Sequence, residues 1–152
     1  MSAIDPENAV VKLCVAGVQA EQAGDGEGAA ELYRQAWAAH SNDLEASMAA
    51  HYLARVQADE GARLTWNRMA LERAEAAGDG AESFLPSLLL NLGQSLEAKG
   101  ELASAAAAYD RARTALAGVE PGLAESLRGA LERARLRVAV PLRPQAQEPP
   151  DW

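Results

Sequence analysis

Aromatic side chains are scarce in this sequence of 152 residues: Phe, Tyr and Trp together make up 5% of it. Cys14 is the one cysteine, which excludes an intrachain disulfide. Of the two histidines, His40 and His51, neither has a second His or Cys three or four residues away, so no zinc-ligand spacing is spelled out. Long apolar runs are missing too. The longest, Ala9 to Ala20, is broken by Lys12 and Gln19 and is too short to span a bilayer. No charged-then-apolar leader with a small-residue cleavage site opens the sequence. Positive charge is in deficit, with 14 basic against 22 acidic residues and a net of −8, which argues against bulk affinity for nucleic acid. Lysine is nearly absent, Lys12 and Lys99 standing against many arginines, and with abundant alanine this points to a GC-rich bacterial source. The expectation is a cytoplasmic protein with no membrane and no nucleic-acid partner.

Catalytic patterns are also missing. Gly93-Gln94-Ser95-Leu96-Glu97 has only the outline of a nucleophile elbow, because it falls inside a helical pattern and not on a strand-to-helix turn. Gly24-Asp25-Gly26-Glu27-Gly28 lacks the preceding strand and the lysine of a phosphate loop. Asp59-Glu60 falls in a turn, where solvated capping accounts for it. The expectation is a chain that is not an enzyme and has neither metal nor cofactor.

What is present is alanine, leucine and valine, which carry most of the 49% AVILMFWYC content and favour an all-α fold. Glycine and acidic or amide caps divide the chain into seven helical stretches. Asp5-Pro6-Glu7 reads as a helix start, giving helix 1 over about Pro6–Ala23. The following stretches read as about Glu27–Ala39, Leu44–Ala58, Ala62–Ala77, Glu82–Lys99, Glu101–Ala117 and Leu123–Val138. In the last of them Leu127, Leu131, Ala134 and Val138 form one stripe. From Pro141 to residue 152 four prolines and no periodicity predict a disordered tail.

The stretches repeat. Leu89, Leu92, Gly93 and Leu96 share one helical face, Gly100 breaks it, and Ala105, Tyr109 and Ala112 start the next. Gly17, Gly24, Ala29, Tyr33 and Ala36 reproduce those marks. A weaker third copy carries Ala50, Gln57, Ala62, Trp66 and Met69. The pattern resembles the tetratricopeptide repeat, W-x2-L-G-x2-Y followed by A-x3-F and P. Leu89 stands for the Trp, Leu96 for the first Tyr and Tyr109 for the Phe; the final Pro is missing, with Ala117 near its place. The resemblance implies an α-solenoid of three helix-turn-helix repeats, about 10–43, 43–77 and 86–119, with a capping helix over about 123–138, all within a domain of residues 1–140.

By that resemblance the first helix of each repeat lines a concave face. The mapped groove residues are Ser47, His51 and Arg55 in repeat 2, and Asn91, Gln94 and Glu97 in repeat 3. Helical spacing adds to this, since His51 and Arg55 are four apart and Asn91, Gln94 and Glu97 step by three. Val11, Cys14 and Val18 stand where a chaperone-tail clamp of this family has its polar and basic groups, so that ligand is not expected. They make helix 1 apolar nearly all round, and an end helix of a repeat stack needs a polar outer face. Burial of this stripe by a second copy of the chain, as a homodimer, or by a partner helix is one expectation; an apolar groove floor is the other. The functional expectation is a non-enzymatic adaptor or regulatory module holding a protein or peptide segment in its groove. The alternatives are a sensor of a small molecule or short signalling peptide, and an accessory structural subunit of an enzyme complex.

Overall fold

Short polar side chains start most of the helices. Asn8 Oδ1 accepts from the backbone of Val10 at 2.8 Å and of Val11 at 3.2 Å, Asp25 from Gly28, Asn42 from Glu45 and Asp59 from Ala62. Each satisfies one or two of the amides that a helix N-terminus leaves unpaired, which is worth about 1 kcal/mol per cap. Pro121 at the first helical position follows Glu120, whose carboxylate takes the Gly122 and Leu123 amides.

The computed structural model describes residues 4–141, so the tail expected beyond Pro141 lies outside the described residues. Seven α-helices run through them with no strand: α1 (Ala9–Gln22), α2 (Gly26–Ala39), α3 (Asp43–Arg55), α4 (Glu60–Ala77), α5 (Leu85–Ala98), α6 (Leu102–Ala115) and α7 (Pro121–Ala139). Short 3-10 turns follow α4 (Gly78–Phe84) and α6 (Leu116–Gly118).

Two helix starts fall three residues later than the sequence reading, and the others within two residues of it. Asp5-Pro6-Glu7 forms a turn in which Asp5 accepts the Glu7 amide at 2.9 Å, and the helix begins at Ala9 because Asn8 caps more amides than Asp5 does. Glu82 lies in the 3-10 segment and α5 begins at Leu85, with Pro86 in its first turn, where the missing N–H costs nothing.

Each helix packs against the next in the chain, most extensively within α1–α2, α3–α4 and α5–α6; α3 also returns to α1, and α7 to α5. Glycine makes two of the close pairs possible. A Cβ at Gly17 would sit 2.2 Å from the Tyr33 ring, and one at Gly93 would sit 2.3 Å from the Tyr109 ring. Both rings are fully buried, flanked by buried Ala29 and Ala36 in the first pair and by Ala105 and Ala112 in the second. Burying a side chain of that size contributes roughly 1.5–3 kcal/mol.

The turns match as well. Gly24 and Gly100 have φ of +81° and +79°, and each donates to the carbonyl three residues back, Glu21 or Glu97. The next amides, of Asp25 and Glu101, reach Ala20 and Leu96. This glycine-dependent pairing closes a helix end and turns the chain back. The main core runs from α4 to α7 through Leu64, Leu71, Leu89, Leu96 and Leu131, and two smaller clusters lie under α1–α3.

Candidate functional site

Helices α1, α3, α4 and α5 enclose an open cavity of about 550 Å³. The last turn of α1 supplies Glu21, α3 supplies His51 and Arg55, the first half of α4 supplies Glu60, Arg63 and Asn67, and α5 supplies Asn91 and Gln94. Spacings of four on α3 and three on α5 put each pair on one helical face.

The two arginines are already committed. Arg55 Nη2 lies 2.7 Å from Glu21 Oε2, and Glu21 Oε1 accepts the Tyr33 hydroxyl at 2.8 Å. Arg63 bonds Glu60 at 3.1 Å and the Gln57 carbonyl at 2.7 Å. On the floor, buried Asn67 donates to Ser95 Oγ at 2.7 Å and joins α4 to α5. In that bond the one hydroxyl of the lining acts as the acceptor.

The remaining groups are neutral. Asn91 Nδ2 lies 3.4 Å from His51 Nδ1, a long contact. The His51 ring stands edge-on to Tyr52 at 4.9 Å between centroids. Burial pushes the His51 pKa below 6.5, with the nearby Arg55 charge acting in the same direction, so the imidazole is neutral at pH 7. Gln94 is exposed, and among the described residues its amide has no partner. Glu60 Oε2 is shielded from solvent and has no hydrogen-bond partner among the described residues. The cavity thus offers amide and imidazole hydrogen bonds between two neutralised ion pairs.

His51, Arg55, Asn91 and Gln94, picked from the sequence, share this cavity; Ser47 and Glu97 do not line it. Ser47 is buried between α3 and α4 and donates to the Ala70 carbonyl at 2.8 Å, so its hydroxyl serves helix packing. Glu97 accepts the Tyr109 hydroxyl at 2.5 Å and the Arg137 guanidinium at 3.1 and 3.2 Å, tying α5 to α6 and α7. This repeats the Glu21–Tyr33–Arg55 arrangement.

Glu21, Glu60, Arg63 and Asn67 were not anticipated. Glu21 had a signal: it stands to Gly17 as Glu97 stands to Gly93. The three α4 residues had none, because the repeat register assigned the groove to first helices alone.

The apolar stripe expected on helix 1 needs correcting at Cys14. That side chain is 2% exposed and packs with Val10, Ala36 and Ala49 inside the chain, so no partner can cover it. The face of α1 carrying Val10, Cys14 and Gly17 is the one that meets α2 and α3. Val11 and Val18 are half-buried, and Val15 between them is 51% exposed.

Among the described residues no helix is long and apolar enough to cross a membrane, and no group of three His, Cys, Asp or Glu comes together as a metal set would. No protein-family model matches the sequence, and a search of the curated proteins finds no match.

Proposed function

We propose that this chain is a tetratricopeptide-type helical-repeat module of three helix pairs capped by α7, and that it acts without catalysis by holding a segment of a protein partner in the cavity between α1, α3, α4 and α5. The repeat reading draws on geometry recurring with a fixed offset. Gly17, Glu21, Gly24 and Tyr33 have counterparts 76 residues on at Gly93, Glu97, Gly100 and Tyr109, with the same ring-on-glycine contact, the same Tyr-to-Glu bond and the same left-handed turn. Arg55 and Arg137, each from the helix that follows, close the two arrangements.

The binding reading rests on one observation: His51, Asn91 and Gln94 present unsaturated or weakly bonded polar groups to an open cavity whose charges are already paired. Neutral donors and acceptors spaced along two helices suit the backbone amides of an extended or helical segment. The cavity volume falls within the range for small ligands, but those sites are mostly apolar, so the polar lining favours a peptide over a small-molecule signal.

The test is quantitative affinity capture with the wild-type chain and His51→Ala/Asn91→Ala/Gln94→Ala. Arg55 is left intact because its loss would also free Glu21. Partners that the wild type enriches and the triple variant loses would support the reading. An unchanged partner set with an intact circular dichroism spectrum would refute it.

A further inference from the structure

The seam between α6 and α7 carries two neighbouring cavities. One, of about 520 Å³, is lined by Ala106, Leu136 and Val138; the other, of about 180 Å³, by Arg113, Leu116 and Arg128. Glu132 and Arg135 line both and make them one trough.

The α2–α3 seam has the same construction, and there a helix fills it. Trp66 of α4 meets Trp37 at 5.1 Å between centroids, Ser47 bonds the Ala70 carbonyl, and Arg73 reaches Asp43 at 3.0 Å. These contacts set α4 antiparallel to α3. With α6 offset 76 residues from α2, and α7 offset 82 from α3 as Arg55 and Arg137 fix it, Trp37 corresponds to Arg113. Ala46, Ala50, Leu53 and Ala54 correspond to Arg128, Glu132, Arg135 and Leu136. The side chains that bury against α4 in one seam are therefore mostly charged in the other. Three arginines line the trough, Arg113, Arg128 and Arg135, against two acids, Asp110 and Glu132, in a chain whose net charge is −8. Arg135 pairs with Asp110 at 3.1 Å, whereas Arg113 and Arg128 have no acidic partner among the described residues. In the larger cavity Leu136 is 69% exposed, and Val140, four residues further along the chain, is 63% exposed.

We infer that the α6–α7 seam is a reversible docking seat for an amphipathic helix of a partner protein, apolar near its N-terminus and acidic near its C-terminus. Antiparallel to α7, as α4 is to α3, such a helix lays its first turns on Leu136 and Val140. Its last turns lie against Arg113 and Arg128, where its carboxylates and the negative end of its dipole meet cations. A seat with this charge stays hydrated when empty, which suits a partner that comes and goes. The surface is separate from the α1–α3–α4–α5 cavity, and the inference stands without that reading.

The probe is a fluorescein-labelled synthetic helix of the length of α4, 18 residues. It carries leucines at i, i+4 and i+7 over its first half and glutamates on the same face over its second; a twin has lysine for glutamate. Anisotropy titration of the full chain is expected to show saturable binding of the acidic peptide that weakens as salt rises, and none of the twin. Arg113→Glu/Arg128→Glu and, separately, Leu136→Lys are each expected to weaken binding by about ten-fold or more, as removal of complementary contacts does. These positions are at the surface, and an unchanged circular dichroism spectrum checks the fold. His51→Ala/Asn91→Ala is expected to bind the peptide as the wild type does.

Absence of saturable binding, equal binding of the lysine twin, or loss only with the His51/Asn91 variant overturns the inference. Tighter binding by Glu148→Lys/Asp151→Lys would assign the seat to the chain's own following segment. Self-association that the peptide reverses would assign it to a second copy. Either result also overturns the partner-helix assignment.

Discussion

Gly93→Ala adds one methyl group in the middle of α5, and its effect follows from a single contact. The new Cβ would sit 2.3 Å from Cε1 of Tyr109. Carbon atoms in a packed interior rest about 3.5–4.0 Å apart, so something must move by about 1.2 Å or more. Tyr109 has nowhere to go: its ring is fully buried and its hydroxyl is held by Glu97 at 2.5 Å. Overpacking of this kind costs about 1–3 kcal/mol, and the displacement here points to the upper end. Alanine in place of glycine inside a helix returns about 1 kcal/mol. The expected net loss is therefore about 2 kcal/mol. At about 2–4 °C per kcal/mol for a chain of this size, Tm falls by about 4–8 °C. Urea unfolding followed by far-ultraviolet circular dichroism would show it as a lower midpoint at an unchanged slope. Gly17→Ala, with its contact of 2.2 Å on Tyr33, should behave alike. Gly129→Ala is the control: the nearest atom to its Cβ is Arg133 Nη1 at 3.5 Å, so only the helix preference remains and stability rises by roughly 0.5–1 kcal/mol. If Gly93→Ala proves as stable as wild type, or moves in the same direction as Gly129→Ala, the ring-on-glycine account is wrong.

Burial raises the Glu97 pKa, but hydrogen bonds from Arg137 and Tyr109 outweigh it and hold the carboxyl below its usual 4.5. A carboxyl lowered on folding stabilises above its unfolded pKa and loses that contribution as pH falls through the folded value. Glu97→Gln should therefore flatten the acid limb of the stability curve below pH 4.5, and a limb unchanged from wild type would count against the tie to α7. His51 is lowered first by burial and then by Arg55, so it stabilises above 6.5 and that contribution is lost as pH falls through its folded value. Its imidazole resonances should titrate with a midpoint below 6.5, and a midpoint at or above 6.5 would contradict its packing against α5. Burial pushes the Cys14 thiol up to about 11, so at pH 8 it should react with a disulfide reagent only in urea; rapid native labelling would mean that α1 is loosely held.

How legible the fold was depended on whether a signal had competition nearby. Gly24 and Gly100 each fall where one helical run ends, and the chain turns at both with positive φ. Asp5-Pro6 is followed within three residues by Asn8, a second competent cap, and a sequence cannot weigh two caps by the number of amides each will reach. The Gly93–Tyr109 pairing was readable as a small residue beside a ring, whereas the bond from that ring to Glu97 was not. A carboxylate one turn beyond a glycine reads equally as lining a groove or as anchoring a neighbour. In the cavity, His51 and Asn91 were legible because helical spacing selected a polar face. Ser47 misled for the opposite reason: among the alanines of α3 a hydroxyl marks a polar face, but it also fits between two helices when a carbonyl such as that of Ala70 is within reach. Glu60, Arg63 and Asn67 belong to α4, and no spacing along α3 or α5 could bring them in.

The two proposed surfaces differ in a way that follows from where the arginines are used. Arg55 lies in the α1–α3–α4–α5 cavity, but its guanidinium is held by Glu21, the same carboxylate that receives Tyr33 and so fixes α1 to α2. Withdrawing Arg55 for a ligand would loosen the wall that shapes the cavity, so recognition there falls to groups outside that ion pair, His51, Asn91 and Gln94. All of these are neutral at pH 7, and neutral hydrogen bonds are little affected by salt. On α7 the arginine that matches Arg55, Arg137, is likewise taken by Glu97, but Arg113 and Arg128 are additional charges with no acidic partner among the described residues. Their attraction for an acidic helix is screened over about 8 Å at physiological ionic strength. Raising salt should therefore release a partner held at the seam while leaving one held in the cavity, so a single ionic-strength series on captured partners separates the two sites without any substitution.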